Sequence, residues 1–145
     1  MRRHAIYLIP TLLLSASVVA APAPVKVEVL QTKLDHPWSL AFLPGNQGLL
    51  ITMRGGQLRH WQAGKGISDP IVGVPRVWAN GQGGLLDVVL APDFAQSRRV
   101  WLSYAEVGND GKAGTAVGYG RLTDDLSRIE AFQVVFRQQP KLSTG

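Results

Sequence analysis

No cysteine occurs in the 145 residues, which excludes a disulfide framework, a thiolate metal site and a cysteine nucleophile. Charge is sparse as well, at 17% Asp, Glu, Lys and Arg, and although 15 Lys+Arg stand against ten acids, no run of four basic residues forms. A polybasic arm for nucleic acid or lipid is therefore not expected. No window carries the stripe of a long amphipathic helix. Three histidines, His4, His36 and His60, without any HExxH-like spacing give no case for a zinc site. No carboxylate pair is spaced for acid/base work, and neither a Walker nor a dinucleotide fingerprint is present. The 46% hydrophobic content, 16 glycines and nine prolines exclude collagen, a long coiled coil and a wholly disordered chain.

What is present begins with Met1-Arg2-Arg3-His4, a short basic stretch before the apolar run from Ala5 to Ala21. The run is short for a membrane span and is interrupted by Pro10, so residues 1–20 read as a Sec-type signal peptide cleaved after Ala20, with export to the periplasm. No membrane span is expected after cleavage. Removing Arg2 and Arg3 leaves 13 basic residues against ten acidic ones, a net charge of about +3, so the high pI needs no special partner.

From Val25 onward the pattern is one of short apolar alternations punctuated by glycine and proline, which predicts an all-β chain. The predicted strands are Val25 to Leu30, Trp38 to Phe42, Gly48 to Met53, Gln57 to Trp61, Leu85 to Leu90, Val100 to Ala105, Ala116 to Leu122 and Phe132 to Arg137. Two stretches repeat: Ser39-Leu40-Ala41-Phe42-Leu43-Pro44 and Asp87-Val88-Val89-Leu90-Ala91-Pro92, with their prolines 48 residues apart. A Gly-x-Leu strand follows in each unit, Gly56-Gln57-Leu58 and Gly120-Arg121-Leu122. Four strands at this period are the signature of a β-propeller blade, and the chain holds about two. Residues 21–34 form a separate N-terminal segment, in which Val25 to Leu30 is a candidate ring-closing strand. Residues 35–145 are a partial propeller. Because a ring needs about four to eight blades, two alone would leave open sheet edges, and the chain is expected to be incomplete and inactive as it stands.

The densest local signal is Trp78-Ala79-Asn80-Gly81-Gln82-Gly83-Gly84-Leu85-Leu86-Asp87, where glycines surround one long polar side chain. Glycine lets a ligand approach the backbone closely, so Gln82 is a candidate binding residue; an ordinary inter-blade turn with a solvated Gln82 explains the same composition. His36, before Pro37, is expected to set a loop, and His60 to sit exposed on a strand. Asp93, after Pro92, is expected to bond its own backbone in a turn. Trp38, Trp61, Trp78 and Trp101 are expected to pack between blades.

The runs HPWSLAFLP, GQGGLLDVVLAPDF, LSYAE and FRQQPKLSTG resemble the glucose/sorbosone dehydrogenase family, in particular its soluble aldose sugar dehydrogenases, from about Asp35 to Gly145. The resemblance implies a six-bladed propeller that oxidises an aldose at C1 to the lactone, with pyrroloquinoline quinone (PQQ) as hydride acceptor and calcium as Lewis acid. It places the family's sugar-contacting glutamine on Gln82. It also implies a catalytic histidine just beyond Gly145, with nearly all PQQ and calcium ligands further on, so no catalytic or metal residue is assigned within the chain. Met53-Arg54 departs from the Glu-Arg pair of many members. Arg54 is therefore expected to be structural, pairing with a loop carboxylate, and Asp87 to bond a neighbouring backbone amide. The resemblance leaves the electron acceptor unidentified. A non-catalytic binding propeller and a calcium-dependent lactonase are the alternatives from other function classes.

The leader reading makes one direct prediction. Protein recovered from a periplasmic extract should begin at Ala21, which intact-mass measurement checks.

Overall fold

The computed structural model describes residues 25–143. The leader, its cleavage site and the last two residues lie outside the described residues. The first sheet is an antiparallel meander of four strands in chain order, β1 (Pro37–Phe42), β2 (Leu49–Met53), β3 (Gln57–Gln62) and β4 (Gly66–Ile67). The second repeats that order with β5 (Leu85–Leu90), β6 (Arg99–Val107), β7 (Lys112–Leu122) and β8 (Ile129–Arg137). The two-residue β9 (Leu142–Ser143) pairs with β7 beyond the point where β8 leaves it. This is the all-β, two-blade arrangement that the 48-residue repeat predicts.

Central strands buried on both faces lose the simple in/out alternation. All five residues of β2, Leu-Leu-Ile-Thr-Met, are buried. Leu50 joins the main core, which fills the space between the two sheets with Leu58, Leu85, Leu102 and Leu122. Each of these leucines is fully buried and contributes about 1.5–3 kcal/mol of transfer free energy. Leu49, Ile51 and Met53 point the other way, into a smaller cluster with Leu34, Trp61 and Ile67. On the edge strand β1, Leu40 and Phe42 remain exposed.

Two side-chain links cross the seam where β1 and β2 meet β5. The register of β5 on β6 is irregular between Leu85 and Val88, which takes the Leu86 carbonyl out of the regular ladder. The buried Thr52 hydroxyl donates to that carbonyl (2.6 Å) while accepting from the Ser39 amide (3.0 Å). Ser39 in turn donates its hydroxyl to Asp87 (2.5 Å), so the repeat-related residues of the two blades touch each other. The linker 68–84 is stitched to both sheets. The Ile71 amide donates to Leu58, the Val72 amide to Ser127 and the Ile129 amide to Val72.

Seven of the eight predicted strands are present. The exception is Val25 to Leu30, which forms no strand: Val25, Val27 and Val29 alternate, but no described strand offers them a ladder, and all three are exposed. The Gly-x-Leu motif opens β3 but closes β7, so within the third strands the repeat is out of register. Asp93 bonds the Ser97 hydroxyl (3.0 Å) across the single helical turn Phe94–Ser97 rather than its own backbone.

Thr52→Val keeps the volume of this side chain and leaves the Leu86 carbonyl and Ser39 amide without their hydroxyl partner. A loss of about 1–3 kcal/mol is expected. Urea denaturation should show it as a lower midpoint at unchanged slope.

Candidate functional site

The glycine-rich run leaves the linker and enters β5 against the end of β2. The Trp78 amide donates to the Ala105 carbonyl (2.8 Å) and the Gly83 amide to Asn80 (2.8 Å), which closes the turn. Arg54 then holds it from the side. Its Nη1 donates to the Gly81 carbonyl (2.7 Å), and its own carbonyl accepts from the Leu85 amide (3.0 Å). Gly84 lies so close that a Cβ there would collide with the Arg54 backbone, and its φ of +151° is one L residues rarely adopt. A Cβ on Gly83 would likewise meet the Trp78 carbonyl. The glycines thus serve close backbone packing, and they leave Gln82 as the long side chain at the tip of a clamped loop.

Gln82 is exposed and lines a cleft of about 310 Å³ whose other walls include Trp78, Thr115, Gln138 and Ser143. That volume is at the small end of ligand pockets. Another part of the lining is tied down by Gln138. Its amide nitrogen donates to the Thr115 carbonyl (2.8 Å), and its side-chain oxygen accepts from the Thr115 amide (3.0 Å).

The remaining sequence-predicted residues lie elsewhere. Arg54 bonds a loop carbonyl, not the carboxylate expected of it. Asp87 accepts from the Val88 amide (2.9 Å), the neighbouring-amide role expected of it, and also receives Ser39. His36 sits at φ +48° with Nδ1 on Asp35 (2.6 Å), and its carbonyl accepts from the Arg54 amide (3.0 Å). His60 is half-buried on β3, with Nε2 donating to the Gln47 carbonyl (2.5 Å). Trp78 lines the cleft from the linker, and Trp101 packs on Tyr119 within the second sheet, with ring centroids 4.7 Å apart.

Perturbed titrations gather beside the cleft on β6. Burial pushes the Glu106 carboxyl up, but hydrogen bonds from Lys141 and Arg137 outweigh it and hold the pKa below the ordinary glutamate value. Burial, aided by the Glu106 charge, raises the Tyr104 phenol. The exposed Asp125 is held low by the Thr123 hydroxyl and by Ser127, an Asx-type turn far from the site.

The amides, hydroxyl groups and indole of the lining, set among Leu86, Ala105, Ala113 and Leu142, suit a neutral ligand with both hydroxyl groups and an apolar face. The lining holds no cation to meet the carboxylates of PQQ, and among the described residues no group of three His, Asp or Glu could hold a metal ion. The described residues do not build a PQQ or calcium site.

The sequence family model for Glucose / Sorbosone dehydrogenase matches residues 34–145. The chain is 73% identical, over its whole length, to the aldose sugar dehydrogenase YliI of Escherichia coli (strain K12), and spans 39% of that relative. Among solved structures, the apo soluble aldose sugar dehydrogenase of Escherichia coli aligns with a TM-score of 0.80 at 80% identity, covering 81% of this chain and 34% of that one. The PQQ-bound aldose sugar dehydrogenase of Streptomyces coelicolor aligns with a TM-score of 0.60 at 26% identity, covering 77% and 33%.

Gly84→Ala should displace the loop. A stability loss of about 1–3 kcal/mol is expected from the forced backbone change, with faster amide exchange across residues 81–85. Gly55→Ala is the control: nothing lies within 4 Å of a Cβ there. It should stay within about 0.5 kcal/mol of the parent.

Proposed function

Because the chain belongs to the glucose / sorbosone dehydrogenase family, we propose that it is the N-terminal part of a periplasmic aldose dehydrogenase whose Gln82 cleft receives the sugar. The observation that carries this reading is the Arg54-clamped glycine loop presenting one amide side chain to an uncharged cleft, where Thr115, Gln138 and Ser143 stand among the apolar Leu86, Ala105, Ala113 and Leu142. An amide donates through Nε2 and accepts through Oε1, which matches two adjacent hydroxyls of an aldose. A charged residue at this position would favour an ionic substrate instead.

Oxidation of C1 to a lactone removes a hydride and a proton. PQQ is the proposed hydride acceptor, supported by the PQQ-bound relative of the same family. Calcium is the proposed partner of the quinone oxygens. Both would be held by residues of the longer protein, in a six-bladed ring that Val25 to Leu30 would help to close. The residues of this chain would bind and orient the sugar.

The full-length protein, loaded with PQQ and calcium, should oxidise glucose with an artificial electron acceptor, and omission of either should abolish turnover. Failure of a folded, loaded protein to oxidise any aldose would overturn the reading. Lactone hydrolysis with calcium and no quinone would replace it with a hydrolase. In an active enzyme, Gln82→Ala should raise KM about tenfold, the scale of one lost hydrogen bond to a sugar hydroxyl. An unchanged KM would return Gln82 to a solvated turn.

A further inference from the structure

The segment that follows β8 lines the same cleft as Gln82, and it is held by a carboxylate two strands away. Arg137 ends β8 and Lys141 precedes β9, so the two residues bracket the short connection through Gln138, Gln139 and Pro140. Both reach the same carboxylate. Arg137 Nε donates to the two oxygens of Glu106 at 2.9 and 3.2 Å, and Lys141 Nζ donates to Oε2 at 2.7 Å.

Glu106 does not belong to a neighbouring strand. It lies on β6, and β7 runs between it and the bracketed segment. The residue of β7 paired with Glu106 is Gly114. A Cβ on Gly114 would stand 3.2 Å from the Lys141 stem, and one on Gly108 would stand 2.5 Å from it. The absence of side chains at these two positions opens the path by which Lys141 crosses the sheet. The Glu106 and Lys141 side chains are only 20% and 15% exposed, so the pair is less screened than an ordinary surface ion pair. Gln138, the first residue inside the bracket, is locked onto Thr115 from both its backbone and its side chain. On its other side the same segment lines the Gln82 cleft with Gln138, Leu142 and Ser143.

We infer that Glu106 is a positioning residue for the Gln82 cleft: by drawing Arg137 and Lys141 together over Gly114, it sets the distance between the Gln138–Ser143 wall and Gln82. The role in catalysis rests on the sugar-binding reading of that cleft; the mechanical role does not.

Glu106→Gln in the full-length holoenzyme removes the charge and keeps the shape. Lys141→Met keeps the stem over the glycines and removes only the ammonium. Both variants should speed amide exchange of residues 138–143 at least tenfold while leaving exchange in β5 and β6 unchanged. Both should also raise KM for the aldose fivefold or more with kcat within twofold of the parent. Unchanged exchange in 138–143 overturns the inference whatever the activity. Faster exchange with an unchanged KM in an active enzyme also overturns it, since the wall would then not shape the sugar site. If the parent enzyme oxidises no aldose, the sugar-binding reading fails, and exchange in the two variants alone decides whether Glu106 holds the wall. Should Glu106→Gln fail to fold, Lys141→Met carries the same test.

Discussion

The Thr52 hydroxyl is the smallest group in the structure on which the largest arrangement depends. It is a buried polar atom at the seam of two sheets, and it is there because the β5 register irregularity sets one carbonyl outside its own ladder. An unpaired buried carbonyl is costly, and a hydroxyl aimed at it from the neighbouring sheet both removes that cost and fixes the two sheets in one relative position. Leucine packing alone would tolerate sliding. The Thr52 to Leu86 and Ser39 to Asp87 bonds do not, because each is short and directional, at 2.6 and 2.5 Å.

The glycine loop inherits its position from that seam. Arg54 follows β2 directly, so the residue that clamps Gly81 and caps the entry to β5 extends the strand that carries Thr52. The cleft is therefore referenced to the first sheet on one side, through Arg54, and to the second on the other, through Gln138 and Thr115. A cleft walled by the linker and the second sheet, with its loop clamped from the end of the first, is sensitive to the spacing of the sheets, and the seam hydrogen bonds are what hold that spacing.

The sequence made the strands legible where apolar residues alternate or run together between glycine turns, as in Leu85 to Leu90 and in the repeat around Pro44 and Pro92. It made Gln82 legible as a singular side chain among glycines. It concealed β4 and β9, because two-residue strands carry no period, and the alternation of Val25 to Leu30 reports a tendency to pair for which no described strand supplies the partner. The remaining polar lining of the cleft was also hidden. Thr115, Gln138 and Ser143 have no motif in common, and they meet only because β8 leaves β7 before β7 ends, which opens its edge to β9. Arg54 was expected to seek a carboxylate, but a carbonyl of a glycine turn lies within its reach and accepts the same donor. The Glu106 contacts were invisible for a related reason: they skip a strand, and only pairing across Gly114 reveals the gap they use.

The pinned linker bears on how such a chain comes together in time. The meander of β1 to β4 is built from neighbouring hairpins, the kind of local contact that forms early. Its exit at Val72, however, is held by Ser127 and Ile129, which lie just before and at the start of the outermost long strand of the second sheet. A chain emerging amino-terminus first completes its first sheet while that exit is still loose, and Val72 is not pinned until nearly sixty further residues, up to Ile129, have followed. During that interval the Leu50 and Leu58 face stands open to water. The order of assembly is thus written into where the linker finds its partners, and the first sheet is kept waiting for the second.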